Sequence, residues 1–241
     1  MACPSPFLKG VDRKPSTGSD RLPPSGLPGG SRLSSTTTDR GCGVRCWEEA
    51  EPFLIERAAE DLRSGGEVHP CLVAFAGLHP LLVAWLRPFA KGAYADPMTE
   101  LLALAVPLGA NRLAASFGGR ATSLSDPVPP VCEGVGDLRQ RVLCIERADA
   151  VGRRVRASST MLAFDLLAGQ VGWGQRLDHD GPTGWINAAM AAALQGRRRL
   201  RAEAGQIREQ ALRCDRLGHR MVLAPAALAR LDLSHLQPGP D

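Results

Sequence analysis

The sequence predicts an α+β fold: an antiparallel sheet of four to six strands flanked by helices, with a disordered N-terminal tail and a long C-terminal helix. Three observations predict it. Alternating apolar and polar residues between about 112 and 177 mark strands. Short glycine-containing breaks between them mark hairpins, hence antiparallel pairing. Helical spacing is confined to the two ends, which separates helices from strands.

Residues 1–46 read as a disordered tail. Proline, glycine, serine and threonine fill 24 of those 46 positions, so the segment buries too little apolar surface to offset chain entropy. A helix follows from about Trp47 to Arg63, with Phe53, Ile55, Ala58, Ala59 and Leu62 on its apolar side and Gly65-Gly66 as its stop. Cys71–Phe75 reads as a buried strand, and Pro80–Leu86 as a short helix with Pro80 in its first turn. The apolar stretch from Cys71 to Phe89 is broken by Gly77, His79-Pro80 and Arg87-Pro88, so it lacks the roughly 20 unbroken apolar residues of a membrane span.

Asp96 is placed to cap a helix, but Leu101–Val106 ends at Pro107 and is read as a strand. Arg112–Phe117 alternates, Gly118-Gly119 reads as a two-residue hairpin turn, and Arg120–Leu124 as the returning strand. A proline-rich loop at Ser125–Gly136 separates this pair from a second, Leu138–Ala148 with Val155–Phe164, turning at Val151-Gly152. Val171, Trp173 and Leu177 give one more strand, and Asp178–Pro182 a loop. Beyond Gly218, Met221–Leu233 reads as a short helix. The predicted domain is 47–217, with 218–241 as a C-terminal extension.

The long helix spans Gly184–Leu217. Ile186, Met190, Ala193, Leu200, Ala204, Ile207, Ala211 and Cys214 fall on one stripe at spacings of four and three, with Arg197 interrupting it. As a coiled coil the stripe is thin, since alanines bury little and Gly196 and Gly205 weaken a helix. It fits either packing on the chain's own sheet or docking a partner helix. Ile186, Met190, Ala193, Leu200 and Ile207 are the expected interaction residues.

The formal net charge is +4, yet Arg197–Arg220 alone holds eight arginines against three acids. Arg197, Arg198, Arg199 and Arg201 are therefore candidate anion-binding residues. Salt-dependent phosphate contacts would follow if the partner were nucleic acid, although no nucleic-acid-binding signature accompanies them. Arg112, Arg120, Arg139, Arg141 and Arg156 recur across the strands and offer a second candidate anion surface.

Seven cysteines at irregular spacing are no disulfide framework, which points to a reducing, cytoplasmic setting. Cys42 and Cys46 enclose three residues, where redox motifs need two and zinc sites need a second pair. No metal or cofactor is expected. Asp178-His179-Asp180 is the densest polar cluster and the weak catalytic candidate, as a loop holding a general base. Glu67, His69 and His79 form a second polar group, and Ser158-Ser159-Thr160 supplies hydroxyls with no histidine in a motif nearby. Phosphate-loop, dinucleotide and serine-elbow patterns are absent. The reading is a non-enzymatic interaction or regulatory module that uses its basic C-terminal helix, with a protein partner or a homodimer. The alternatives are nucleic-acid binding through Arg197–Arg220, or a small enzyme at Asp178-His179-Asp180.

Overall fold

In the computed structural model the described residues are 43–90, 93–121, 139–152, 154–182, 184–197 and 202–231. The expectations for residues 1–42, for the loop at Ser125–Gly136 and for Arg198, Arg199, Leu200 and Arg201 lie outside them. An α+β architecture is observed, but its antiparallel sheet has seven strands, more than the four to six expected. Their order is β6-β5-β4-β3-β1-β2-β7. The strands are β1 Cys71–Ala76, β2 His79–Trp85, β3 Arg112–Ala121, β4 Gln140–Val151, β5 Arg154–Leu167, β6 Gln170–Asp180 and β7 Arg220–Leu223.

One helix covers the first face. Helix α1, Ala50–Gly65, buries Leu54, Ala58 and Leu62, a four-residue spacing that makes one stripe. Gly66 closes it at φ +73°, a conformation that costs a side chain about 1 kcal/mol. The stripe packs on Val73, Phe75, Ala114, Leu143, Ile145, Leu162 and Phe164. On the second face lie α2 (Ala95–Ala105), α3 (Trp185–Gly196), α4 (Ala204–Arg216) and α5 (Pro225–Arg230). They pack on the alternate strand positions Leu72, Ala74, Leu82, Ala84, Leu113, Ala115 and Ala148.

Several elements differ from the expectation. Pro80–Leu86 is strand β2 rather than a helix, joined to β1 through a turn at Gly77 (φ +63°), whose N–H donates to Asn111 Oδ1 at 2.7 Å. Both strands are covered on both faces along Cys71–Phe75 and Leu81–Ala84, so apolar side chains run there without a break and show no period. Leu101–Val106 belongs to helix α2 with its cap residue: Met98, Leu101, Leu102 and Ala105 are buried while Thr99 and Ala103 are exposed, which is helical spacing. Pro107 follows the helix and does not interrupt it.

Gly118-Gly119 is not a turn. Both glycines lie within β3, opposite Leu143 and Val142, where a Cβ would meet Val68 and Val142 side chains at 3.4 Å. The single long C-terminal helix is not observed: α3 closes at Gly196, and α4 starts at Ala204 with a capping box between Glu203 and Gln206. Ile186, Met190, Ile207, Ala211 and Cys214 are buried in the chain's own core, with Ala193 packed against it. These members of the stripe are covered by the protein's own core, whereas Ala204 is exposed, so the covered part offers no docking edge. β7, in the segment beyond Gly218, pairs with β2 from Leu82↔Leu223 to Trp85↔Arg220 and completes the sheet.

Candidate functional site

The sheet ends on one side at β7, four residues long, and on the other at β6, eleven residues long. Short edges resist pairing and long ones invite it. Every residue from Gly174 to Asp180 is exposed. The backbone direction along this edge follows from one bond: the Gly181 N–H donates to Ala157 O at 2.8 Å, continuing the register Ser158↔Asp180, Ser159↔His179, Thr160↔Asp178 and Met161↔Leu177. Backbone groups alternate between the two sides of a strand. Leu177 and His179 therefore turn N–H and C=O toward β5, while Arg176, Asp178 and Asp180 turn theirs outward. No strand among the described residues receives them.

Side chains alternate as well. Asp178 pairs with Thr160, which pairs with Ile145 on the α1 face, so Arg176, Asp178 and Asp180 lie on that face. There they meet a charge network. Glu51 of α1 bridges Arg147 at 2.8 Å and Arg176 at 2.5 Å. Arg176 also grips Asp178 through Nε (2.8 Å) and Nη2 (2.9 Å), and the Thr160 hydroxyl donates to Asp178 Oδ1 at 2.7 Å. The Arg176 fork, then Thr160, push the Asp178 carboxyl down to about 2. The Arg176 guanidinium is held charged by Asp178 and then Glu51.

The opposite face is apolar at the same register. Phe117 lies opposite Cys144, Cys144 opposite Met161, and Met161 opposite Leu177. Helix α3 covers β4 and β5, so exposure grows outward along this row: Met161 is 37% exposed and Leu177 50%. Met161 and Leu177 thus leave adjacent apolar side chains partly in water at the rim of the sheet.

Two shallow grooves flank the network. One, of about 520 Å³, lies between α1 and β6, with Glu51, Ile55, Arg63, Trp173 and Arg176 among its lining. The other, of about 260 Å³, is lined by Trp47, Arg147, Asp149, Arg156, Ser158 and Asp180. Both are open, and two of their arginines, Arg147 and Arg176, share the acid partner Glu51.

The residues expected to form sites are distributed as follows. Asp178, His179 and Asp180 belong to strand β6 rather than a loop. Alternation puts His179 on the face away from both carboxylates, so the three do not converge. His69 precedes β1 and His79 starts β2 beyond the β1–β2 turn; His69 sits 3.5 Å from Asp61 instead. Of the strand arginines, Arg112 is paired with Asp149 at 3.1 Å, Arg141 donates to the Gly66 carbonyl, and Arg120 donates to the Arg139 carbonyl. Arg197 donates to the carbonyls of Leu194 and Gly152 at 2.8 and 3.0 Å. Thr160 is fully buried and Ser159 nearly so. Among the described residues no three histidines, cysteines or acids are grouped as metal ligands, and no helix is long and apolar enough to cross a membrane.

A part-buried polar cluster escaped the sequence reading. Arg87, Glu100 and His219 meet behind α2, with Cys214 Sγ 3.5 Å from the Glu100 carbonyl. Burial pushes the Cys214 thiol up to about 11, Cys144 up to about 11 and Cys71 up to about 12. Thiolate, not thiol, is the reactive form. At pH 8 a thiol reagent should therefore label these three only after denaturant is added. Rapid labelling of Cys214 in the native protein, read by peptide mass, would contradict this burial.

In comparisons with known proteins, no family model, no curated protein and no solved structure matches this chain.

Proposed function

We propose that this protein is a non-enzymatic interaction module that receives an extended protein segment along the outer edge of β6. The carrying observation is the eleven-residue edge strand itself, with outward backbone groups at Arg176, Asp178 and Asp180 and half-exposed Leu177 beside them. Strand addition draws affinity from backbone hydrogen bonds and specificity from alternate side chains. Here the alternate positions offer charge on one face and leucine on the other. We place the protein in the cytoplasm, a reading supported by the free thiols of Cys46, Cys71, Cys144 and Cys214.

The test uses displayed random extended peptides and amide hydrogen exchange on the full chain. Selected peptides are expected to slow exchange at Arg176, Asp178 and Asp180. Asp178→Pro, which removes an outward N–H that β5 does not use, is expected to abolish that binding while the fold persists. Peptides that bind without protecting β6, or that bind the proline variant equally, would refute the reading.

A further inference from the structure

We infer that the segment received by β6 is β6 of a second copy of this chain, antiparallel about a two-fold axis at Leu177. This rests on the strand-addition reading above and names its occupant. An isologous pairing places each residue opposite one whose number sums with its own to a constant. Outward backbone groups must also face outward backbone groups. With the axis at Leu177, Arg176 of each copy forms a reciprocal hydrogen-bonded pair with Asp178 of the other. Opposite charges then face each other twice, on the α1 side of the joined sheet.

Neighbouring registers fail on charge or geometry. An axis at Arg176 sets arginine against arginine, and one at Asp178 sets acid against acid. An axis at His179 opposes Asp178 to Asp180. An axis at Gln175 brings the β6 irregularity, where the register shifts between Leu162 and Phe164, into the centre of the ladder. Self-complementarity in one register, with repulsion in those beside it, is how an edge specifies a partner while refusing others.

The other face gives an independent argument. Phe117, Cys144, Met161 and Leu177 form one cross-strand row that ends in water at Leu177. The two-fold at Leu177 joins this row to its own copy. Leucine meets leucine at a non-hydrogen-bonded position, where Cα atoms approach to about 4.5 Å. The row becomes continuous and buried across the junction. No other extended segment is guaranteed to match both the charge order and the apolar row.

The experiment is sedimentation of the full chain with two charge variants. The wild type is expected to be a dimer. Arg176→Asp or Asp178→Arg alone is expected to weaken it about tenfold, since each homodimer then opposes like charges. An equimolar mixture of the two variants is expected to restore a heterodimer, because every opposed pair is again of opposite sign. Thermal unfolding verifies that each variant is folded. Independently, Leu177→Cys should form a disulfide-linked dimer under mild oxidation, since the on-axis Cα separation suits a disulfide, whereas His179→Cys, off the axis, should not.

A monomer at all concentrations with no Leu177→Cys cross-link would overturn the inference, as would a dimer indifferent to both charge variants. If the chain is monomeric but peptides still protect β6, strand addition stands and self-pairing falls. If neither occurs, both fall.

Discussion

Glu100→Ala is expected to lower stability by about 2 kcal/mol in urea unfolding, because it takes the acceptor from the buried His219 ring and from the part-buried Arg87 fork at once. Glu100 accepts from Arg87 Nε at 2.8 Å and Nη2 at 3.0 Å, a bidentate fork, and from His219 Nε2 at 2.8 Å. The His219 side chain is fully buried. Its Nδ1 accepts the Arg87 backbone N–H at 3.2 Å, so the ring proton belongs on Nε2, facing Glu100. One carboxylate thereby ties the chain after β2, helix α2 and the start of β7, elements far apart in sequence. Arg87, then His219, holds the Glu100 carboxyl down to about 2 against an ordinary 4.5. The sign is that of a depressed acid: its stabilisation is complete above the ordinary value and is lost as pH falls from about 4.5 to about 2. The wild type should therefore lose stability across that window more steeply than Glu100→Ala. A variant within about 0.5 kcal/mol of wild type, the usual range for surface substitutions, would show the cluster to be incidental.

This cluster also shows where sequence reading stops. Helix α1 and strands β4 to β6 were legible because each has one covered face, or a covered middle, and turn residues between. Val171, Trp173 and Leu177 pointed to β6, although the register shift opposite Leu162 and Phe164 places Val171 and Trp173 on the α1 face and Leu177 on the other. Strands β1 and β2 were legible only as apolar, because burial on both faces erases the period that would separate strand from helix. The C-terminal stripe illustrates a different limit. Ile186, Met190, Ile207, Ala211 and Cys214 do share one covered face. Spacing reports that a face is apolar, not whose surface covers it, and here α2 and the sheet do. Gly196 and Gly205, which weaken the continuous helix, sit at its two sides of the break.

For the candidate site, the composition of β6 was readable but its meaning was not. Asp178, His179 and Asp180 look like a cluster in one dimension, and a pleated strand separates them onto two faces. Glu51, which holds Arg176, and Arg147, which shares that carboxylate, are more than twenty residues from it on other elements, so no local pattern joins them. Outward backbone direction at Arg176 and Asp178 depends on register with β5, which only three-dimensional pairing supplies.

Asn187→Asp is expected to be more damaging than any change on the β6 rim. Asn187 is fully buried on α3, and its Nδ2 donates to Glu146 Oε2 at 2.6 Å and to the Ser158 carbonyl at 2.9 Å. One amide thus pins α3 to β4 and β5 together. Ala in its place removes a donor from a nearly buried carboxylate, a loss of about 2–4 kcal/mol. Asp instead sets a second carboxylate within hydrogen-bond distance of Glu146, and like charges that close cannot both remain ionised in a dry site. The aspartate variant should therefore be less stable than the alanine one at neutral pH, and should regain part of the difference in acid, where the two carboxyls share a proton. Urea unfolding of both variants between pH 5 and 8 checks the order and the slope. Equal stability at every pH would mean that Glu146 is not confined by α3. The result bears on the edge as well: because α3 is pinned over β4 and β5, it stops short of β6 and leaves Met161 and Leu177 open to whatever pairs there.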